Sequence, residues 1–208
     1  STLRVRTMTV MQLPEGGRWP PAVMSLNNLG FGTDDVERIS VLDDAPVYEQ
    51  WNILNLTIDD HPIHLHLPLI RVLGRQRMRV LPYIWRNPRP AFGRRWAPSA
   101  ERFRAGPPAP AKPWEAGWKD TVDAPPGYIT RLLVRWPSRA EMGFDPDAPF
   151  PVPSTVADGA PGVGWQPAAV CRLSETTQPS ADRARGYVWH CHVLDHEDHD
   201  MMLPVRLV

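Results

Sequence analysis

The chain has 208 residues, with 23 basic and 23 acidic side chains and a formal net charge of zero; this length fits one domain with generous loops. A balanced charge without a basic stripe argues against a nucleic-acid partner, and the lack of a long apolar run argues against a membrane-spanning role. Two cysteines imply no disulfide framework, so cysteine usage leaves the compartment open.

Twenty-five prolines disfavour long helices and suit short strands joined by structured loops, which predicts an all-β sandwich. In chain order, strands are expected over residues 3–11, 22–26, 36–41, 46–54, 63–73, 120–124, 128–135 and 186–193, with 201–207 closing the domain. Two stretches rich in Pro, Gly, Ala and charge, 82–118 and 137–185, read as long loop insertions. Loops beyond about 15 residues tend to be functional or disordered. Trp85, Trp96, Phe103 and Trp114 make the first a candidate to border a substrate site; surface decoration or packing against a neighbouring domain is the competing reading.

Chemistry concentrates at the chain's end. Gly186 to Leu194 has the aromatic and β-branched content of a buried strand, whose side chains alternate faces. His190 and His192 therefore point one way and Cys191 the other, so adjacent residues can serve two metal centres. Beyond Leu194, Asp195 to Asp200 reads as a polar turn that brings His196 and then Met201 back toward Cys191. A thiolate, an imidazole and a weak thioether are most of a blue-copper ligand set, which needs a second imidazole.

The run Asp60-His61-Pro62-Ile63-His64-Leu65-His66-Leu67 supplies it. His64 and His66 share a face of an extended segment, while His61 precedes a proline that restricts its backbone and is free to point elsewhere. One centre is then His61, Cys191, His196 and Met201; the other is His64, His66, His190 and His192. Burying so many imidazoles without a metal is costly. Zinc is the main rival to copper, but Cys191 facing away from its flanking histidines speaks against one tetrahedral site.

HPIHLH and HCHVLDHEDHDMM resemble, in order, the two copper motifs of the last cupredoxin domain of multicopper oxidases. Within that family the chain is most similar to the bilirubin oxidase, spore-coat laccase and phenoxazinone synthase branch, through His196 to Met202 and Gly117 to Thr121. The likeness runs from about Thr7 to the C-terminus, interrupted by the insertions. It implies a cupredoxin-like Greek-key β-sandwich, with residues 1–208 as a single C-terminal domain. It also implies type 1 copper on His61, Cys191, His196 and Met201, type 2 copper on His64, and a type 3 pair on His66, His190 and His192. Cys191 would pass electrons onward, and Glu197 matches a glutamate implicated in delivering protons to oxygen.

The implied activity is one-electron oxidation of phenolic, aminophenolic or tetrapyrrole donors coupled to four-electron reduction of O2 to water. The resemblance also implies as many cluster histidines again, from two His-x-His motifs of an N-terminal cupredoxin domain, and no such motifs remain in this chain. The expected partners are therefore an N-terminal cupredoxin chain of the same oxidase, O2 and a small aromatic reductant. Starting at Ser1 without Met, the sequence reads as a C-terminal fragment or one chain of a nicked enzyme.

A stand-alone mononuclear blue-copper electron carrier is the alternative, and a copper-storage or sensing module a third; the four histidines beyond the type 1 set have no purpose in a carrier. Met202 is expected in the core, His199 at the surface, and Trp118 to Asp120 in a structural role. Cys171 reads as a bystander thiol. Asp59 and Asp60 are candidates to accept a hydrogen bond from a ligand imidazole, or simply belong to a turn.

Overall fold

The computed structural model describes residues 3–13, 23–31, 33, 35–144, 151–153, 165–167 and 187–208. Apolar residues alternate along most strands, so each presents one side to a shared interior. The strands are β1 (Arg4–Leu13), β2 (Val23–Leu26), β3 (Glu37–Ile39), β4 (Val47–Asn55), β5 (His61–Leu65) and β6 (Leu69–Met78), followed by the helix α1 (Val80–Arg86). Then come β7 (Arg104–Ala109), β8 (Thr121–Ala124), β9 (Tyr128–Trp136), the short α2 (Arg139–Met142), β10 (Pro151–Pro153), β11 (Trp165–Pro167), β12 (Tyr187–Cys191), α3 (Leu194–Asp198) and β13 (Met202–Leu207).

A six-stranded sheet in the order β2-β1-β4-β9-β6-β7 faces a five-stranded sheet in the order β3-β13-β12-β5-β8, and β10 pairs with β11 apart from both. From β2 to β9 every step except β6 to β7 crosses between the sheets, as in a Greek-key sandwich. Val10, Ile53, Leu132 and Val134 of the first sheet meet Ile63, Leu65, Leu203 and Val205 of the second in one core. Trp51 anchors it, with its ring centroid 5.7 Å from Trp189 in an edge-on arrangement and 6.2 Å from Trp136. Its indole N–H donates to Glu49 (3.0 Å), and the buried Glu49 carboxylate is held by Arg6 at 2.7 Å. Among the described residues no helix is long and apolar enough to cross a membrane.

Two expectations need correction. Residues 63–73 are not one strand: β5 and β6 belong to different sheets, and the chain breaks between them at Leu67, whose φ is +87°. An apolar run that changes sheets keeps its hydrophobic pattern, so composition alone hides the break. Nor is 82–118 a plain loop. It begins within α1, whose Tyr83 joins Trp96, Ala100, Leu54, Met78 and Ile129 in a second small core on the outer side of the six-stranded sheet. It also contains β7, which pairs with β6. Close approach there depends on Gly74, where a Cβ would lie 2.7 Å from the Ala109 carbonyl oxygen. Of the second insertion, α2, β10 and β11 are described; the rest of 137–185, including Cys171, lies largely outside the described residues.

Candidate metal centres

The sites are built by one strand pairing. β12 lies antiparallel to β5 with Cys191 opposite Ile63, His190 opposite His64 and Trp189 opposite Leu65. The ladder continues past both ends, through His66 N–H to Val188 O (3.0 Å) and His192 N–H to Pro62 O (2.7 Å). Strand parity then assigns the faces. His61, Ile63, Leu65, Trp189 and Cys191 turn into the sandwich, where all are buried. His64, His66, His190 and His192 turn to the outer face of the five-stranded sheet.

On the inner face, Cys191 Sγ sits 3.3 Å from His61 Nδ1 and 3.3 Å from His196 Nδ1. The three donors lie within 4.8 Å of one another. A metal with bonds of about 2.0–2.3 Å to nitrogen and sulfur spaces such donors roughly 3.3–3.7 Å apart, so this set fits one ion. His196 is delivered by α3, a single helical turn where the sequence reading expected a polar turn. The chain then returns through Met201 N–H to His196 O (2.9 Å) and Cys191 N–H to Met201 O (3.1 Å). Met201 is fully buried in the same core as Cys191. Thiolate, two imidazoles and an adjacent thioether are the donor chemistry of a blue-copper site.

Hydrogen bonds select the tautomer of His61. Thr57 Oγ1 gives its proton to Asn55 Oδ1 (2.8 Å) and is 2.8 Å from His61 Nε2, so it accepts from Nε2–H and leaves the Nδ1 lone pair facing sulfur. Burial, with His196 beside it, holds the His61 imidazole down at about 4, and burial also lowers His196. The same burial pushes the Cys191 thiol up to about 11. Without a cation the pocket holds two neutral imidazoles and a thiol, and metal binding releases the thiol proton.

On the outer face, His66 Nε2 and His190 Nε2 are 3.2 Å apart, and His64, His66 and His190 form a second group of convergent donors. The ring of His192 lies 5.4 Å from His190 and 5.8 Å from His64, and its side chain is 52% exposed. His64 Nδ1 donates to Asp120 O (3.0 Å) and lies 2.9 Å from Thr121 Oγ1; His190 Nδ1 donates to Cys191 O (3.1 Å). Both contacts leave Nε2 free to ligate. Burial lowers His66 and His190 below the usual imidazole value.

Six of the singled-out residues fall into two groups, His61 with Cys191 and His196, and His64 with His66 and His190; Met201 lies in the core with Cys191, and the His192 ring lies beside the second group. Glu197 follows His196 in sequence, yet its carboxylate faces the other group, 3.9 Å from His190 Nδ1 and 4.0 Å from His192 Nδ1. Asp59 does not bond an imidazole directly. Its carboxylate accepts from Gln12 Nε2 (2.8 Å), and that nitrogen lies 3.3 Å from His196 Nε2. His199 is exposed, with Nδ1 2.6 Å from Asp195 O. Met202 is only half-buried, opposite His190 on β13.

The sequence reading missed Thr57, Asn55 and Gln12. Asn55 and Thr57, two residues apart just before His61, carry a turn signal that could have flagged them. Asp120 and Thr121 meet His64 Nδ1 through the Asp120 carbonyl and the Thr121 hydroxyl. Trp85 and Trp114 are exposed, whereas Trp96 is buried.

Comparison with known proteins gives several likenesses. Residues 6–139 match the family model described as "Multicopper oxidase". A laccase of Bacillus subtilis (strain 168) is 33% identical over 159 residues, covering 76% of this chain and 20% of that protein. A multicopper oxidase of Oryza sativa subsp. japonica is 29% identical over 160 residues, covering 77% of this chain and 22% of the other. The chain therefore spans about a fifth of the length of these curated relatives. The crystal structure of a multi-copper oxidase from Pediococcus acidilactici superposes with a TM-score of 0.51 at 16% identity, over 99% of this chain and 26% of that one. That likeness shows the fold, and the expectation of a cupredoxin-like β-sandwich holds.

Proposed function

Since the chain belongs to the multicopper oxidase family, we propose that it forms the copper-binding domain of a laccase-like oxidase that takes electrons from phenolic, aminophenolic or tetrapyrrole donors and reduces O2 to water. Copper bound to the two groups supplies one-electron acceptance at the mononuclear type 1 site and oxygen reduction at the type 2 and type 3 cluster. His61, Cys191, His196 and Met201 hold the type 1 ion; His64 holds the type 2 ion; His66, His190 and His192 serve the type 3 pair.

The observation that carries this reading is the alternation at 190–192, which sets Cys191 between two inward imidazoles and its neighbours on the outward histidine face. Cys191 is joined to that face covalently through the backbone and again through its carbonyl, which accepts from His190 Nδ1 at 3.1 Å. The tightly packed core around Cys191 excludes water from the sulfur. Glu197, near Nδ1 of both His190 and His192, is the residue of this chain suited to hold a proton for oxygen reduction.

The outward group lies on a sheet face with His192 half-exposed, which suits completion by histidines of an N-terminal cupredoxin domain, in the same or a partner chain. The mononuclear carrier alternative gives this outward group no role. The test is oxygen uptake by the complete copper-loaded protein with an aminophenol donor. Consumption that disappears in Cys191→Ser supports the reading; a copper-loaded protein that consumes no oxygen with any of the three donor classes refutes it.

A further inference from the structure

We propose that the outer surface of α1 is a peripheral docking site for an anionic lipid bilayer, with Leu81, Ile84 and Trp85 entering the interface and Arg79, Arg86 and Arg102 meeting the headgroups. α1 is seven residues long, and at 3.6 residues per turn Leu81, Ile84 and Trp85 share one side of it while Tyr83 takes the other. Tyr83 is fully buried. Its hydroxyl donates to Pro98 O (2.8 Å), and its ring stands edge-on to Trp96 and Phe103, with centroids 5.4 and 5.3 Å away. The helix is thus fixed to the body through Tyr83, and its other large apolar side chains are turned out to solvent.

Trp85 is 88% exposed and Leu81 75%. Single exposed apolar residues are ordinary on a protein surface, but large ones gathered on one side of a helix mark a site that a partner covers. Side chains that stand this far out of the surface suit a yielding partner, which closes around them without a groove shaped to receive them. Trp and Leu beside basic residues are also the composition of helices that lie in a membrane interface.

The charge around the helix selects an anionic surface. Between His61 and Pro110 the chain carries ten arginines and one carboxylate, Glu101, although its charges balance overall. Arg75 and Arg95 pair with Glu115 and Asp35, and Glu101 is engaged by Arg104 and Arg131. Arg79, Arg86 and Arg102 are exposed and pair with no carboxylate among the described residues. With Trp85 and Phe103 they line an open cleft of about 770 Å³, and Arg79 Nη2 is tied to Arg102 O at 2.9 Å. Long arginine stems let the guanidinium groups meet lipid phosphates while the apolar tips sit deeper. This surface lies on the outer side of the six-stranded sheet, across the sandwich from the outward histidines, so a domain that completes that group leaves it open. No helix among the described residues can cross a membrane, so the contact is peripheral.

The test is sedimentation of the complete protein with phosphatidylcholine vesicles, with and without phosphatidylglycerol. Binding is expected only with the anionic lipid and is expected to fall as salt is raised. An arginine near such a surface contributes roughly fivefold in affinity, so Arg86→Gln with Arg102→Gln should lower binding about 25-fold. Leu81→Ser with Trp85→Ser should lower it too, whereas Leu42→Ser, at a 54% exposed position after β3, should not. All of these variants should keep the copper content and visible spectrum of the wild type. Equal binding to both vesicle types, binding to neither, or an equal loss in Leu42→Ser overturns the proposal. Anionic-vesicle binding that survives Leu81→Ser with Trp85→Ser also overturns it, since charge alone then accounts for adhesion. Heparin binding that depends on Arg86 and Arg102 without vesicle binding assigns the surface to a soluble polyanion instead. The inference stands apart from the oxidase reading: a protein that binds vesicles in the expected pattern yet consumes no oxygen overturns that reading alone.

Discussion

His64 and His190 stand directly opposite each other across the β5–β12 pair, and this one register position fixes the composition of both candidate centres. Because side chains alternate, the pairing sends His64, His66, His190 and His192 outward and His61 and Cys191 inward together. A slip of one residue would invert a strand's faces and separate Cys191 from His61. The buried Ile63, Leu65 and Trp189 oppose such a slip, so the hydrophobic pattern that folds the sheet also sorts the ligands.

Thr57 is predicted to control metal affinity without touching the metal. Thr57→Val keeps the shape of the side chain but removes the hydroxyl that accepts from His61 Nε2. Loss of such a supporting contact typically costs about 10–100-fold in affinity. Competition with a copper chelator should show this weakening at the type 1 site, while copper on the outward histidines is retained.

The metal-free domain should weaken in mild acid. An unfolded histidine takes its proton near 6.5, whereas folded His61 resists it to about 4, so between these values the unfolded chain binds more protons and stability falls as pH falls. The contribution is fully present above about 6.5 and is lost toward 4, on the order of 3 kcal/mol for His61. His196, His66 and His190 are shifted in the same direction. Urea midpoints of the copper-free protein at pH 7.5 and pH 4.5, about these limits, read the effect directly; equal midpoints would count against it.

The division of ligands was legible in the sequence because alternation needs only a strand and three residues. Cys191 against His190 and His192 follows from that alone. His61 turns inward by parity with the buried Ile63 and Leu65 alone, so Pro62 need not divert it. What was hidden depends on distant pairing. Gln12 meets His196 across a sequence separation of 184 residues, and no local pattern announces that contact. The break at Leu67 was masked because His66 and the strand after it are both plausible in extended chain, while the helix and β7 inside 82–118 were masked by their prolines.

Gly74→Ala is predicted to loosen β7 from β6, because the new Cβ meets the Ala109 carbonyl oxygen at 2.7 Å and backbone must move. The expected loss is about 2 kcal/mol of stability, seen as a lower urea midpoint. Since Gly74 lies in the six-stranded sheet and the ligands of β5 and β12 lie in the other, the visible spectrum of the copper form should not change.

Met201→Leu tests the axial position. The exchange roughly conserves volume and costs less than about 1.5 kcal/mol, so the buried site should survive. Removing the thioether should retain the thiolate-to-copper absorption while shifting the type 1 potential, because the axial ligand tunes it. Redox titration followed at that band measures the shift.

The role of Cys191 is read most directly from copper content together with the visible and electron paramagnetic resonance spectra of the complete copper-loaded protein, wild type beside Cys191→Ser. The wild type is expected to show an intense thiolate-to-copper band. Cys191→Ser is expected to lose the band entirely yet keep copper on the outward histidines. A wild type that binds copper without that band, or a Cys191→Ser variant that retains it, contradicts the assignment of Cys191 as the thiolate ligand between His61 and His196.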